Sequence, residues 1–337
     1  MSVRSETLVL ASQPYRGWFR PLRCGSRSAL ISGVIISLTG LWVPLSLLAQ
    51  DRSIEVGEIH QLGKIQHLMI DESSGLTPSV RYPHCYWTHN DNGPYPGLFL
   101  VDAAGRLKGK VELPSISFRD WEDLASFSLQ GKNYLLLADV GDNLARYRSG
   151  RLYLFPEPEF DTDLSEKKRP VIQLDSDISK IEFTYLDGPR DCEAVLVDAE
   201  KRKVFLVSKT IDKGEEQEPS KIYSVPLVLS TNSRPVVAEE VASPFQKPLI
   251  TGAQISPDQR LAAIRSYSTA WIFRRTEGES WENVFRRGQP EKRVVLPLQR
   301  QGEAICFTPN SRSLLITSEG VEQRIWQIEL KFPQNDR

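Results

Sequence analysis

ESSGL beginning at Glu72, WEDLA around Glu122, CEAVL around Glu193 and GEAIC around Glu303 are four versions of one phrase, an acid leading into an apolar run. After each, the chain turns and a second apolar run follows: CYWTHND from Cys85, YLLLADVGDN from Tyr134, VFLVSKT from Val204 and LLITSEG from Leu314. A fifth version, TGAQI from Thr251 and then LAAIRSY from Leu261, has Gly252 and Ala253 where the others carry acid. Counting from acid to acid, with Gly252 standing in for the fifth, the copies lie 50, 71, 59 and 51 residues apart. Self-similarity at such a period, with strand-like runs inside each copy, is the signature of a β-propeller. The expected class is all-β, with five repeats readable and a ring of five or six blades. The first strand of each blade lines a central channel, so the recurring acids are expected to converge on one axis.

The surrounding sequence fits this frame. IEVGEIHQL, from Ile54 to Leu62, alternates as a half-buried strand does and precedes the first phrase. It is placed to supply the outer strand of the last blade and close the ring, which removes exposed sheet edges. In LFLVDAAGRLKGKVEL, Gly105 sits in a hairpin turn. SPDQR at Ser256 and TPNSR at Thr308 carry type I turn chemistry between two strands. DKGEEQEPS, from Asp212 to Ser220, reads as a charged, solvated loop. The stretches from Pro170 to Tyr185 and from Asn283 to Leu298 leave room for further strands.

The 337 residues divide into two parts. Residues 1–50 hold five arginines and one acid, Glu6, and include an uncharged run from Ala29 to Ala49. A basic region followed by an apolar one reads as a secretory signal peptide, with the small Ala49 before the polar residues at the cleavage point. The run is also about long enough to span a bilayer, so the alternative is a retained anchor over residues 29–49. The chain has 42 basic and 43 acidic residues in all, which leaves residues 51–337 with 37 against 42. No basic block stands out there, which argues against nucleic acid as a partner. Residues 51–337 suit one propeller domain, expected to be secreted or periplasmic and monomeric. Cys85, Cys192 and Cys306 remain in this part, and the strand contexts of Cys192 and Cys306 read as small core residues.

Carboxylates converging in a low-dielectric channel repel one another unless protonation, basic partners or a metal relieve them. Oxygen donors from Glu, Asp and Asn suit Ca²⁺, which accepts many such ligands in loose geometry. The second runs end at a comparable level with His89, Asn90 and Asp91, then Asp139, Asp142 and Asn143, then Lys209, then Arg265 and Tyr267, then Ser318 and Glu319. One side of the mouth is therefore acidic and amide-rich and the other basic, an arrangement suited to an anionic substrate. Each acid also has a plain structural reading, as a hydrogen-bonding group between blades or in a turn. The sequence contains no nucleophile elbow, no HExxH and no phosphate loop, and all four histidines lie before residue 90. That argues against conventional serine hydrolase, zinc and nucleotide chemistries.

At WTHNDNG, DWEDLA, GDN, DCEAVLVD, TGAQISPDQR and GEAI the chain resembles a group of secreted bacterial β-propeller proteins, mostly of unassigned function. Their usual wording is WTHNDSG, DWEDIA, GDN, DAEALL, TGADISPDG and GEAI, and the resemblance covers nearly all of residues 65–320. More distantly the chain looks like the calcium-dependent phytase-like esterase propellers and the gluconolactonase and phosphotriesterase propellers. That resemblance implies a channel metal held by Glu72, Asn90, Asn143 and Glu193, acting on a lactone or phosphoester. Asn92, Gln254 and Cys192 depart from the usual wording, and Gln254 removes one potential acid.

The resulting expectation is an exported propeller whose channel mouth binds Ca²⁺ and hydrolyses an ester, phosphoester or lactone. Glu72, Glu122, Glu193 and Glu303, with Asn90 and Asn143, hold the metal or its water. Asp139 or His89 serves as base, and Lys209 and Arg265 hold the anionic group of a small substrate. The alternative is a non-catalytic module binding a glycan, peptide or protein, with Trp87, Tyr95 and Tyr147 exposed at the rim. A third reading, a membrane-tethered scaffold, requires the apolar run to stay uncleaved.

Overall fold

The computed structural model describes residues 53–91, 96–161, 169–209, 211–213, 216–230, 234–245 and 249–333. The signal-like segment, Asn92 and Tyr95 lie outside the described residues. Strand β1 (Glu55–Lys64) comes first. β2 (Ser73–Pro78), β3 (Cys85–Asn90), β4 (Gly97–Asp102) and β5 (Leu107–Glu112) form the first antiparallel unit. The second unit pairs β6 (Trp121–Leu129), β7 (Lys132–Asp139) and β8 (Gly150–Pro156) with β10 (Ser179–Tyr185). Between these, β9 (Val171–Gln173) lies parallel to β5. The third unit is β11 (Cys192–Asp198), β12 (Lys203–Ser208), β15 (Ser220–Pro226) and β16 (Val236–Phe245). A two-strand hairpin, β13 (Ile211–Lys213) with β14 (Glu216–Glu218), projects between β12 and β15. The fourth unit is β17 (Ile250–Ile255), β18 (Leu261–Ser266), β19 (Thr269–Arg274) and β20 (Lys292–Val295). The fifth is β21 (Ile305–Phe307), β22 (Ser313–Ile316) and β23 (Arg324–Lys331), completed by β1.

These are the strands of a β-propeller. The five first strands, β2, β6, β11, β17 and β21, pack in a closed cycle in which β21 returns to β2. Five apolar clusters fill the spaces between neighbouring units. The cluster joining the fifth unit to the first sets Leu76, Tyr86 and Phe99 against Ala304, Cys306 and Leu315. Strands buried on both faces read as apolar runs rather than as alternation. That is why YLLLAD and VFLVS were legible as strands. Cys85, Cys192 and Cys306 are free and buried, as the contexts of Cys192 and Cys306 implied.

The closing strand falls where the sequence placed it, with Ile59 opposite Ile328 and Lys64 opposite Arg324. The two stretches with room for further strands add no sixth unit among the described residues. Within 170–185, β9 extends the first sheet and β10 is the outer strand of the second unit. β10 also runs parallel to β16, which joins the second and third units into one eight-stranded sheet. Within 283–298 the chain is partly helical: α1 (Trp281–Arg287) is capped by Ser280 at its start and by Gly288, at φ 65°, at its end. Trp281, Val284 and Phe285 bury its apolar face against the third and fourth units. No helix among the described residues is long and apolar enough to cross a membrane.

Closure through β1 leaves no free edge on β23. Deleting Glu55–Lys64 is expected to lower the melting temperature by roughly 10 °C, the effect of losing several kcal/mol in a domain of this size, and to cause self-association through the exposed edge. Scanning calorimetry and light scattering check both; an unchanged melting curve would show that the ring does not depend on β1.

Candidate functional site

Each of the first four inner strands is irregular at its start. Trp121 faces Asp139 and Asp123 faces Ala138, which leaves Glu122 as an extra residue. Glu193 is extra in the same way between Cys192 and Ala194, and Thr251 between Ile250 and Gly252. β2 is shifted between Ser73 and Leu76. A bulge turns its extra side chain out of the normal alternation, and here it turns Glu122 and Glu193 towards the channel mouth.

Asp191, just ahead of β11, joins them. Glu122, Asp191 and Glu193, all buried, each have a carboxylate oxygen within 4.8 Å of those of the other two. Asp191 Oδ1 accepts the Asp142 amide at 2.9 Å. Glu193 Oε1 accepts from Lys209 Nζ at 2.7 Å. Gly141 passes so close that an added Cβ would collide with Glu122 and with the Asp120 carboxyl, so the glycine of GDN gives the acids their room.

The electrostatics follow from crowding under burial. Burial, and then the charge of Glu193, holds the Glu122 carboxyl well above the carboxylate range. Burial pushes Glu193 up to about 8, with Lys209 opposing and Asp191 reinforcing. Burial and the charges of Asp191 and Asp139 raise Asp120 to about 6. Burial and the neighbouring Glu319 carboxylate, to which the protonated Glu303 carboxyl can donate, raise Glu303 to about 9. Burial alone would lower the Lys209 ammonium, but Glu193 outweighs it and holds it above its ordinary value.

The sequence-predicted residues separate in space. Glu122 and Glu193 meet, with Lys209 paired to Glu193 and Glu303 close enough to feel both Glu193 and Lys209. Glu72 precedes Ser73 as Asp120 precedes Trp121 and Asp191 precedes Cys192, so its register is that of the flanking acids. The residue equivalent to Glu122, two places before the paired Leu76, is Ser74, whose hydroxyl donates to the Glu122 carbonyl at 2.7 Å. In the fourth unit the same place belongs to Thr251, not to Gly252 or Ala253. Asn90 pins the loop before β2, donating to Met69 O at 2.8 Å and Asp71 Oδ1 at 3.0 Å. Asn143 is solvent-exposed, whereas its neighbour Asp142 is buried and accepts the Arg146 and Tyr147 amides.

Asp139 is fully buried, and its Oδ1 accepts the Asp120 amide at 2.9 Å. Arg265 is fully buried, and its Nη1 donates to Ala304 O at 2.7 Å and Thr317 O at 3.3 Å, which builds the guanidinium into the wall between the fourth and fifth units. His89 is fully buried against Gly75, with Nδ1 2.9 Å from Asn90 O and no partner at Nε2. Of the rim aromatics, Trp87 is in the core, donating to Glu157 at 2.9 Å. Tyr147 is exposed, with the Arg119 guanidinium 4.1 Å from its ring. Sequence reasoning passed over Asp191 and Asp120, although both stand in quoted phrases, DCEA and DWED; the doubled acid of each phrase was the available signal.

No family model and no curated protein matches the chain. Solved structures that resemble it include a gluconolactonase from Xanthomonas campestris, at 12% identity over 85% of this chain and 93% of that one, with a TM-score of 0.42. A putative oxidoreductase (glucose dehydrogenase) from Thermus thermophilus aligns at 10% identity over 81% and 100%, with a TM-score of 0.43. The WD40 repeats of RRP9 align at 14% identity over 77% and 67%, with a TM-score of 0.36.

Burial lowers the His89 pKa to about 4 from its ordinary 6.5. The unfolded chain therefore takes up a proton near pH 6.5 that the folded chain refuses until about pH 4, and stability falls as pH drops through that window. The loss is roughly 3 kcal/mol. His89→Gln is expected to flatten this acid limb relative to the parent, measured as urea unfolding free energy between pH 4 and 7; an identical slope would place the titrating group elsewhere.

Proposed function

We propose that the mouth carboxylates hold a divalent cation, most suitably Ca²⁺, and that the site hydrolyses an ester, phosphoester or lactone. The observation that carries this reading is the triad of Glu122, Asp191 and Glu193. Fully ionised, as a bound cation would hold them, the three carboxylates against the single ammonium of Lys209 carry a formal charge of minus two, which one divalent cation balances. The donors are all hard oxygens, the set Ca²⁺ prefers, and carboxylates of this kind bind it in one- or two-oxygen modes with water completing the shell. When bound, the cation supplies polarisation of the substrate oxygen.

The remaining work falls to this chain. Lys209, fixed by Glu193, places positive charge beside the oxygen that becomes anionic. Asp120 is half-buried at the edge of the cluster, and a carboxyl near 6 is substantially ionised at neutral pH. It is the group suited to take a proton from the attacking water. The burial of Asp139, His89 and Arg265 moves them from reacting roles to positioning roles in this reading. The exposed Tyr147 beneath Arg119 supports the second reading, a site that binds an extracellular glycan, peptide or protein without turnover.

The test is the melting temperature of the full chain in chelator and after adding Ca²⁺, Mg²⁺ or Zn²⁺. Ca²⁺ is expected to raise it by several degrees. Glu193→Gln and Asp191→Asn are each expected to weaken Ca²⁺ binding by at least about tenfold, the scale of a lost charge-assisted contact. If calorimetry finds the same affinity in both variants, the cation site is wrong. If Ca²⁺ binds but no lactone or phosphoester turns over, the binding reading stands.

A further inference from the structure

The dipeptide Arg-Asp occurs twice in the chain, as Arg119-Asp120 and Arg190-Asp191. Each time the arginine stands three residues ahead of a mouth glutamate, Glu122 or Glu193. In the fifth unit Arg300 stands three ahead of Glu303, but it is exposed and Gln301 follows it. The arginine paired with an acid therefore belongs to the two units that supply the carboxylates.

Neither guanidinium bonds to Glu122, Asp191 or Glu193 among the described contacts. Both hold the wall behind them. Arg119 Nη1 donates to Ser149 O at 2.9 Å and its Nη2 to Asp139 O at 3.0 Å. Arg190, 6% exposed, donates from Nη2 to Asp187 Oδ2 at 2.6 Å and from Nη1 to Glu218. In both residues Nε is buried without a partner, so the two Nη groups carry the grip.

Arg190 shows what is gripped. It lies with Asp187 in the loop from Tyr185 to Cys192, which delivers Asp191 to the cluster. Asp187 Oδ2 also accepts Lys221 Nζ and Tyr223 Oη from β15, each at 2.8 Å. Burial alone would raise the Asp187 carboxyl, but Lys221, Tyr223 and Arg190 outweigh it and lower it to about 2. Glu218 ends β14, the returning strand of the hairpin that begins beyond Lys209. Arg190 thus fastens the loop to the hairpin and, through Asp187, to β15, one residue ahead of Asp191. From there Asp191 takes the Asp142 amide on Oδ1 at 2.9 Å and the Lys209 amide on its carbonyl at 2.8 Å. A planar guanidinium holds two acceptors in fixed geometry, which an ammonium does not.

We propose that Arg190 is a positioning residue of the mouth, which sets Asp191 for the cation by gripping Asp187 and Glu218, as Arg119 sets Asp120 by gripping two carbonyls. The link to cation binding rests on the reading above; the placing of Asp191 does not. As a charge alone, the guanidinium repels a cation, so its loss would tighten binding. As a positioning group, its loss weakens binding.

The test compares the full chain with Arg190→Met, Arg190→Lys and Tyr223→Phe, by Ca²⁺ calorimetry and, in chelator, by amide hydrogen exchange. Arg190→Met is expected to weaken Ca²⁺ about tenfold, the scale on which groups that orient metal ligands act. Arg190→Lys, which keeps the charge and loses the fork, is expected to weaken it nearly as much. The Asp142 and Lys209 amides are expected to exchange about fivefold faster in Arg190→Met, the scale of one weakened hydrogen bond, while those of Phe205 and Leu206 keep their rates. Tyr223→Phe, which removes a neutral donor from Asp187, shifts both readouts in the same direction and serves if Arg190→Met does not fold. A merely structural arginine would speed exchange throughout the third unit and leave Ca²⁺ affinity unchanged. Unchanged or tighter Ca²⁺ binding in Arg190→Met, or unchanged exchange at Asp142 and Lys209, overturns the proposal. A parent chain that binds no Ca²⁺ overturns the cation reading alone, and exchange then decides whether Arg190 places Asp191.

Discussion

Three inner strands of this propeller meet on one carboxylate. Asp123 is buried, and it accepts the amides of Leu124 at 2.8 Å, Val195 at 2.8 Å and Ala253 at 3.3 Å. Those three residues occupy the same register in the second, third and fourth units, each following a bulge. A bulge frees backbone groups from the ladder, and a buried amide without a partner is costly. Asp123 supplies the partner for all three at the channel axis. Burial pushes its carboxyl up to about 8, and only the three donated hydrogen bonds hold it down. The ring is thus tied at its centre by an acid with no cation against it among the described contacts.

The same irregularity creates the site. The residue ahead of each of those amides by two positions is the bulged one, and in two units it is Glu122 or Glu193. Ser74 and Thr251 fill the equivalent places in the first and fourth units and donate to the carbonyls of Glu122 on β6 and of Gly302 ahead of β21. The mouth is consequently acidic on one arc and hydroxyl-bearing on another. Lys209, the ammonium drawn to this arc, is placed by its own amide, which donates to Asp191 O at 2.8 Å. Further along the same strands the side chains become Thr77, Ser126 and Gln254, which satisfy one another and leave an uncharged end. One bundle of strands therefore presents two chemically opposite openings.

Much of this was legible beforehand. Apolar runs of five or six residues bounded by turn signals gave the strands, and SPDQR and TPNSR gave two hairpins as type I turns. Ile54–Leu62 could be assigned to the ring closure because an amphipathic strand ahead of the first repeat has no partner of its own. Glu122 and Glu193 stood out because the acid recurred before the same apolar pattern. Glu72 was aligned by its letters with Glu122, although it stands four residues before the paired Leu76 and Glu122 only two before Leu124. The stretch 283–298 holds the strand read there, Lys292–Val295, but it begins in a helix that the caps Ser280 and Gly288 define.

What the sequence determined by itself was the period, the strand content and the convergence of acids on one end of a channel, because these follow from side-chain type and spacing. What only the tertiary structure decided was which acids meet. Asp191 enters the cluster through the path of its loop, and Asn143 is turned out to solvent. Arg265 and Asp139 turn inward because main-chain groups of neighbouring strands claim their hydrogen bonds. Bulges and loop paths shift a side chain by one position, and one position in a strand is the difference between the channel and the wall.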